Sequence, residues 1–107
     1  DLEDGEYSIQ VELEGGSGKA SVSSPTLMLV KDGKMYARLQ WSSSNYDYMM
    51  VGDTKYEPIE GTETSAFNIP VAAFGKKIAV QADTTAMSQP YLIDCTLTFD
   101  ADSVKAK

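Results

Sequence analysis

The sequence of 107 residues predicts an all-β fold, an immunoglobulin-like antiparallel β-sandwich of about seven to nine short strands. Three observations predict this class. Apolar and polar residues alternate with a period of two along most of the chain, which is typical of half-buried strands. Turn signals rich in Gly, Pro and Asp separate the alternating stretches. Nowhere does a helical period persist for more than about two turns.

Turn signals divide the alternating stretches from one another. Glycine-rich residues 15–18 end the first strand, and a polar loop over residues 83–90 precedes the last one. Asp32-Gly33 is a strong signal for a two-residue hairpin, and Gly52-Asp53 predicts a second tight turn. In chain order the predicted strands cover residues 7–13, 19–23, 27–30, 35–41, 46–51, 55–59, 67–71, 77–82 and 91–99.

The chain has the length of one domain with its own core. We expect residues 1–100 to form that domain and residues 101–107 to be a frayed tail. Cys95 is the only cysteine and lies in an alternating stretch, which predicts a buried, inert thiol and no internal disulfide. The sequence contains neither an apolar run of about 20 residues nor a signal-peptide pattern. We therefore expect either a cytosolic protein or a mature or excised piece of a longer exported one.

Charge and composition exclude several functions. The net charge of −7 argues against nucleic acid and against anionic membrane surfaces as partners. The sequence has no histidine, so the Ser-His-Asp, Cys-His and histidine-based zinc arrangements are all absent. The spacing of a calcium-binding loop is also missing. We therefore expect a binding or structural module and not an enzyme.

The methionines are the candidate functional residues. Met28 and Met35 fall on apolar faces and are expected to be core residues. Met49 and Met50 are neighbours in a predicted strand, so their side chains must point to opposite faces. Met87 lies in the polar loop before the last strand, where a methionine is commonly just exposed. An alternative is that Met87 and one of the adjacent pair face each other across a slot, which would suit a flat soft-metal ligand such as haem. The walls of that slot would be Tyr46, Tyr48 and Tyr91.

Several segments of the sequence resemble NEAT (near-iron-transporter) domains, which are haem-binding immunoglobulin-like modules on the surface of Gram-positive bacteria. The resemblance is carried by Asp-Gly-Glu-Tyr at residues 4–7, by residues 30–36 and by the closing alternation at residues 96–100. Residues 41–49, which contain Asn-Tyr-Asp-Tyr-Met, and residues 83–88 are more specifically similar to the NEAT-related surface haem-binding proteins of the Shp type. The resemblance covers essentially the whole domain.

This resemblance implies a set of haem ligands. NEAT domains usually bind haem iron through a Tyr-x-x-x-Tyr pattern in the last strand, but here Tyr91 is followed four positions later by Cys95. Alignment on Phe99 instead places Gln89 and Ile93 at the two tyrosine positions. Shp-type proteins use two methionines, which implies Met49 and Met87 as axial ligands of haem b (iron protoporphyrin IX). The residues expected to contact the cofactor are Tyr46, Tyr48, Met50 and Tyr91.

The resemblance also implies a function. We expect an extracellular, cell-surface module of a Gram-positive haem-uptake system, excised or matured from a longer protein. It would pass its haem on to a transporter, and its expected protein partner is a haem-donor surface receptor or the lipoprotein of an ABC transporter. We do not expect this piece itself to insert into the membrane. One alternative is an immunoglobulin-like structural or adhesion domain with no ligand. Another keeps the pocket but holds a different tetrapyrrole or flat hydrophobic molecule.

Overall fold

A computed structural model of the chain describes residues 2–16, 20–85 and 91–107, with residue 91 described by its backbone only. These ranges form strands, turns and bends without a helix, and they contain no helix able to cross a membrane. The strands are β1 (Gly5–Gly15), β2 (Thr26–Lys31), β3 (Lys34–Gln40), β4 (Tyr46–Val51), β5 (Thr54–Tyr56), β6 (Ala66–Pro70), β7 (Ile78–Thr84) and β8 (Tyr91–Ala106).

The eight strands form one antiparallel sheet in the order β5-β4-β7-β8-β1-β2-β3-β6. This sheet curls until its two ends meet. Ser65, just before β6, accepts a hydrogen bond from the backbone N of Tyr46 at 3.1 Å through its Oγ and donates from that Oγ to the Tyr46 carbonyl at 2.9 Å. The nearly closed sheet encloses a single core, which confirms the predicted all-β sandwich.

The core is built from every second residue of the strands. Ile9 and Val11 of β1, Ala37 and Leu39 of β3, and Trp41 beyond its end are all buried, as the alternation predicted. The largest fully buried side chains are Phe67, Phe99, Ile9, Met28, Leu39, Met49, Ile69 and Leu97. Met28 is therefore the core residue that the sequence indicated, and Met35 packs against the core while partly buried.

Both predicted tight turns are present. Lys31 pairs with Lys34 across Asp32 and Gly33, whose φ angles of 53° and 78° are those of a type I′ hairpin loop. Val51 pairs with Thr54 across the second turn, where Gly52 has a φ of 61°. These two hairpins fix the register of β2 with β3 and of β4 with β5.

Two predicted strands are shorter in the structure than the pattern suggested. In the segment predicted at 19–23, Val22 makes only an isolated bridge to Trp41, and residues 17–19 lie outside the described residues. The strand predicted at 55–59 is β5, which ends at Tyr56. A polar loop then connects β5 to β6.

The C-terminal residues correct the predicted frayed tail, because β8 continues through Ala106. Ser8 pairs with Lys105, and the backbone N of Lys107 donates to the Glu6 carbonyl at 3.0 Å. A bulge before this segment shifts the register, and Ser103 Oγ holds it by accepting from the Gln10 backbone N at 2.8 Å. Polarity alone suggested disorder, but the backbone groups of this segment are paired with β1.

Removal of residues 101–107 is expected to lower the free energy of unfolding. The deletion leaves the first half of β1 without its partner on one side, and each lost hydrogen bond contributes roughly 0.5–1.5 kcal/mol. Urea denaturation of the full chain and of the truncated chain measures the change. The exposed substitution Lys105→Ala, which keeps the backbone pairing, is the control, and equal stability of the full and truncated chains would contradict the pairing.

Candidate ligand-binding site

The outer face of β4, β7 and β8 carries a groove of about 490 Å³ that reaches the end of β1. Cross-strand pairing aligns its floor, because Met50 lies opposite Gln81 and Gln81 lies opposite Asp94. The lining residues are Glu14, Gly15, Met50, Gly52, Ala79, Val80, Gln81, Asp94, Cys95 and Thr96. This volume falls within the roughly 300–1,000 Å³ of small-molecule sites.

The groove is mainly apolar with a few polar groups. Its central polar contact is the hydrogen bond that Gln81 Nε2 donates to Asp94 Oδ1 at 2.7 Å. Gly15 borders one end, where a larger residue would be strained because its Cβ would lie 3.2 Å from the Asp94 carbonyl oxygen and its φ is +84°. An apolar surface with convergent polar groups is the usual form of a ligand site.

The adjacent methionines of β4 point to opposite faces, as predicted. Met49 is fully buried in the core, opposite Ala82, whereas the half-buried Met50 lines the groove. The sequence-based choice of Met49 over Met50 as the outward-facing thioether does not match this placement, because Met49 is part of the core cluster. Met87 lies outside the described residues, so the predicted pair of axial ligands stays a prediction.

The predicted tyrosines do not share one environment. Tyr46 is buried and stacks on Trp41 with ring centroids 4.3 Å apart, so it belongs to the core and not to the groove. Tyr48 lies on the outer face beside the groove, with Lys55 Nζ 4.6 Å from its ring centroid. The backbone of Tyr91 pairs with Thr84, and its side chain lies outside the described part.

Other residues around the predicted site have clear placements. Ile93, which the sequence resemblance aligns with a tyrosine position, faces the core. Gln89 lies outside the described residues. The Trp41 indole Nε1 is buried and has no hydrogen-bond acceptor among the described residues.

A β-bulge explains why Tyr46 points into the core of the protein while Tyr48, two residues later in β4, lies on the outer face. The register shifts between Tyr46 and Tyr48, so Asp47 is the extra residue and the pairing resumes with Tyr48 opposite Asp83. The Asp47 and Asp83 carboxyl groups are hydrogen-bonded to each other, which raises the pKa of Asp83 above its ordinary value. Burial and the Asp47 charge add to the increase, while Lys55 opposes it.

Asp83 was missed by sequence reasoning. The sequence assigned it to a loop, but β7 extends to Thr84 and carries Asp83 into the sheet. A polar residue at the start of a predicted loop gave no signal that a strand would continue. The bulge at Asp47 likewise has no signature in the alternation.

Cys95 lies beneath the groove as a buried thiol. Burial and, secondarily, the negative charge of Asp94 raise the pKa of Cys95 to about 11. The thiol is therefore protonated at neutral pH and is a poor nucleophile or metal ligand. Throughout the described ranges, no group of three or more His, Cys, Asp or Glu side chains is placed to hold a metal ion.

Solved structures share this architecture. The NEAT5 domain of IsdX2, a B. anthracis hemophore in complex with heme, superposes with a TM-score of 0.67 at 17% identity, covering 92% of this chain and 97% of that chain. The chain has the fold of a NEAT domain. A mutant of the same NEAT5 domain, also in complex with heme, gives a TM-score of 0.68 at 18% identity with the same coverage. No family model matches the sequence, and no curated protein matches it.

The NEAT fold confirms the predicted resemblance at the level of architecture. The groove lies on the outer face of β7 and β8. Residues 17–19, which link β1 to the next segment, lie outside the description, as do residues 86–90.

Met49→Ala and Met50→Ala are expected to differ sharply in stability. Loss of the buried Met49 side chain leaves a cavity and should lower the free energy of unfolding by about 2–5 kcal/mol. Loss of Met50 from the groove should cost less than about 1.5 kcal/mol. Urea denaturation of both variants measures the difference. A larger loss of unfolding free energy for Met50→Ala than for Met49→Ala would contradict the placement of Met49 in the core and Met50 in the groove.

Asp83→Asn is expected to stabilise the protein at neutral pH. Because the pKa of Asp83 is raised on folding, its carboxyl binds a proton more tightly in the folded state. Stability therefore falls as the pH rises from the ordinary value of 3.8 through the raised value. The advantage of Asp83→Asn should accordingly disappear in acid below this window.

Urea midpoints across a pH series test this expectation. Asp53→Asn, in the exposed β4–β5 turn, is the control for removal of one negative charge. If the stability advantage of Asp83→Asn over the unmodified chain instead grew in acid, that result would contradict a raised pKa for Asp83.

Proposed function

We propose that this chain is a haem-binding module and not an enzyme. The proposal is carried by one observation, a NEAT fold whose apolar outer-face groove holds the half-buried Met50 thioether. The similar NEAT5 structures are both complexes with heme. The groove chemistry fits that cofactor, because a flat apolar macrocycle suits the surface formed by Met50 and Ala79.

We propose Met87 and Met50 as the axial ligands. Thioether sulfur is a soft, neutral ligand that favours ferrous iron and raises the reduction potential of a bound haem. The sequence-based pair of Met49 with Met87 needs the core to open around Met49, whereas Met50 already lines the groove. Neither thioether loses a proton on binding, so affinity should change little across neutral pH.

The module is proposed to act outside the cell as part of a Gram-positive haem-uptake system. It would take haem from a surface receptor and release it to the lipoprotein of an ABC transporter. Support comes from the NEAT5 domain, which belongs to a hemophore. Neutral, replaceable ligands beside an open groove suit a carrier that must also release its cargo.

Titration with haem tests the proposed function. Met50→Leu and Met87→Leu remove a thioether while nearly conserving volume, which usually costs less than about 1.5 kcal/mol. Each is expected to convert a six-coordinate, low-spin absorbance spectrum into a five-coordinate one or to abolish binding. Met49→Leu, the matched control inside the core, should retain the low-spin spectrum.

The remaining outcomes separate the alternatives. Loss of the low-spin spectrum in Met49→Leu, with Met50→Leu unaffected, would identify Met49 as the ligand and require an opened core. Equal binding of haem and iron-free porphyrin with no thioether–iron band would favour another flat ligand. Absence of any spectral change in the unmodified chain would support a structural or adhesion domain.

A further inference from the structure

The charged groups bordering the groove are unevenly distributed. Glu14 and Asp94 line it, and Asp83 lies beside it with its hydrogen-bonded partner Asp47. Lys77 is paired with Glu14 through a shorter contact, since its Nζ lies 3.1 Å from Glu14 Oε2, and it offsets the charge of that groove-lining carboxylate. A carboxylate on a bound ligand would therefore be repelled from most of this border.

Lys55 is the exception among the described residues at this border. It lies directly opposite Met50 in the β4–β5 pairing and projects over the Tyr48 ring, with Nζ 4.6 Å from the centroid. Its ion pair is with Glu57 Oε1 at a longer 3.7 Å, and both side chains are more than half exposed. Exposed pairs of this kind contribute little. The ammonium also faces the Asp83 carboxyl, whose pKa it lowers, so a ligand carboxylate would compete with Glu57 and Asp83 for this cation.

The contact with Tyr48 fixes the place of that charge. A lysine ammonium over an aromatic face is stabilised by about 0.5–1 kcal/mol at an exposed site. Tyr48 is itself positioned by the bulge at Asp47, which directs it to the outer face opposite Asp83. The cation is thus held next to the Met50 end of the apolar floor.

We propose that Lys55 is the carboxylate-binding residue of the groove and orients an amphipathic ligand within it. The carboxylate edge of the ligand lies toward β5, and its apolar body crosses the floor formed by Met50 and Ala79. Tyr48 is a positioning residue that acts through Lys55. The inference rests on the proposed haem-binding function and specifies which residue of this chain meets the carboxylate edge of the ligand.

The test compares haem with haem dimethyl ester, which lacks the two charges. The Kd of each is measured through quenching of Trp41, the only tryptophan in the chain. The unmodified chain should prefer the free acid, and Lys55→Gln should reduce that preference by about 2- to 5-fold, as expected for one exposed charge pair. Lys55→Arg, which keeps the cation, should preserve most of it.

Two matched variants refine the comparison. Lys34→Gln removes a charge from the β2–β3 hairpin, which does not line the groove, and should leave the preference unchanged. Tyr48→Ala removes the aromatic face and should weaken the preference, whereas Tyr48→Phe keeps the face and should retain it. A reduced preference in Lys34→Gln equal to that in Lys55→Gln would mean that only net charge matters, which would overturn the inference.

Iron-free protoporphyrin IX and its dimethyl ester provide a second pair that does not depend on axial methionines. The same 2- to 5-fold change on Lys55→Gln is expected, since the carboxylates and not the iron are recognised. Binding of both haem compounds with an unaltered preference in Lys55→Gln overturns the role of Lys55 and leaves the proposed function standing. Failure of all four compounds to bind the unmodified chain removes the proposed function itself.

Discussion

The pairing of β8 between β1 and β7 is the constraint on which the rest of the structure depends. It supplies the hydrogen bonds that join the two halves of the curled sheet. It also assigns each residue of the strand to a face, so that Cys95 and Leu97 enter the core while Asp94 and Thr96 form the groove. A slip of one residue would exchange the two faces.

Much of the fold follows from period-two alternation, because a strand that is buried on one face carries an apolar residue at every second position. The core positions and the Asp32-Gly33 hairpin were predictable in this way. The C-terminal half of β8 was not, since its backbone pairing with β1 stabilises a polar segment that has no apolar pattern. Backbone hydrogen bonds do not depend on side-chain polarity, so a strand held by them shows no alternating pattern in the sequence.

The candidate site was predictable only in part. The opposite facing of Met49 and Met50 follows from strand geometry, but their assignment to core or groove depends on the bulge at Asp47. The same bulge separates Tyr46, stacked on Trp41, from Tyr48, held beneath Lys55. The charge pattern around the groove arises from pairing between strands distant in sequence, which a single sequence does not reveal.

The junction between the ends of the sheet has a consequence for assembly. The terminal strands β5 and β6 are short, Pro70 has no N–H to donate, and Ser65 ties the β6 side to Tyr46. Long unpaired strands are what allow one chain to extend the sheet of another. The two ends of this sheet therefore offer little free backbone to which the strand of another chain could be added.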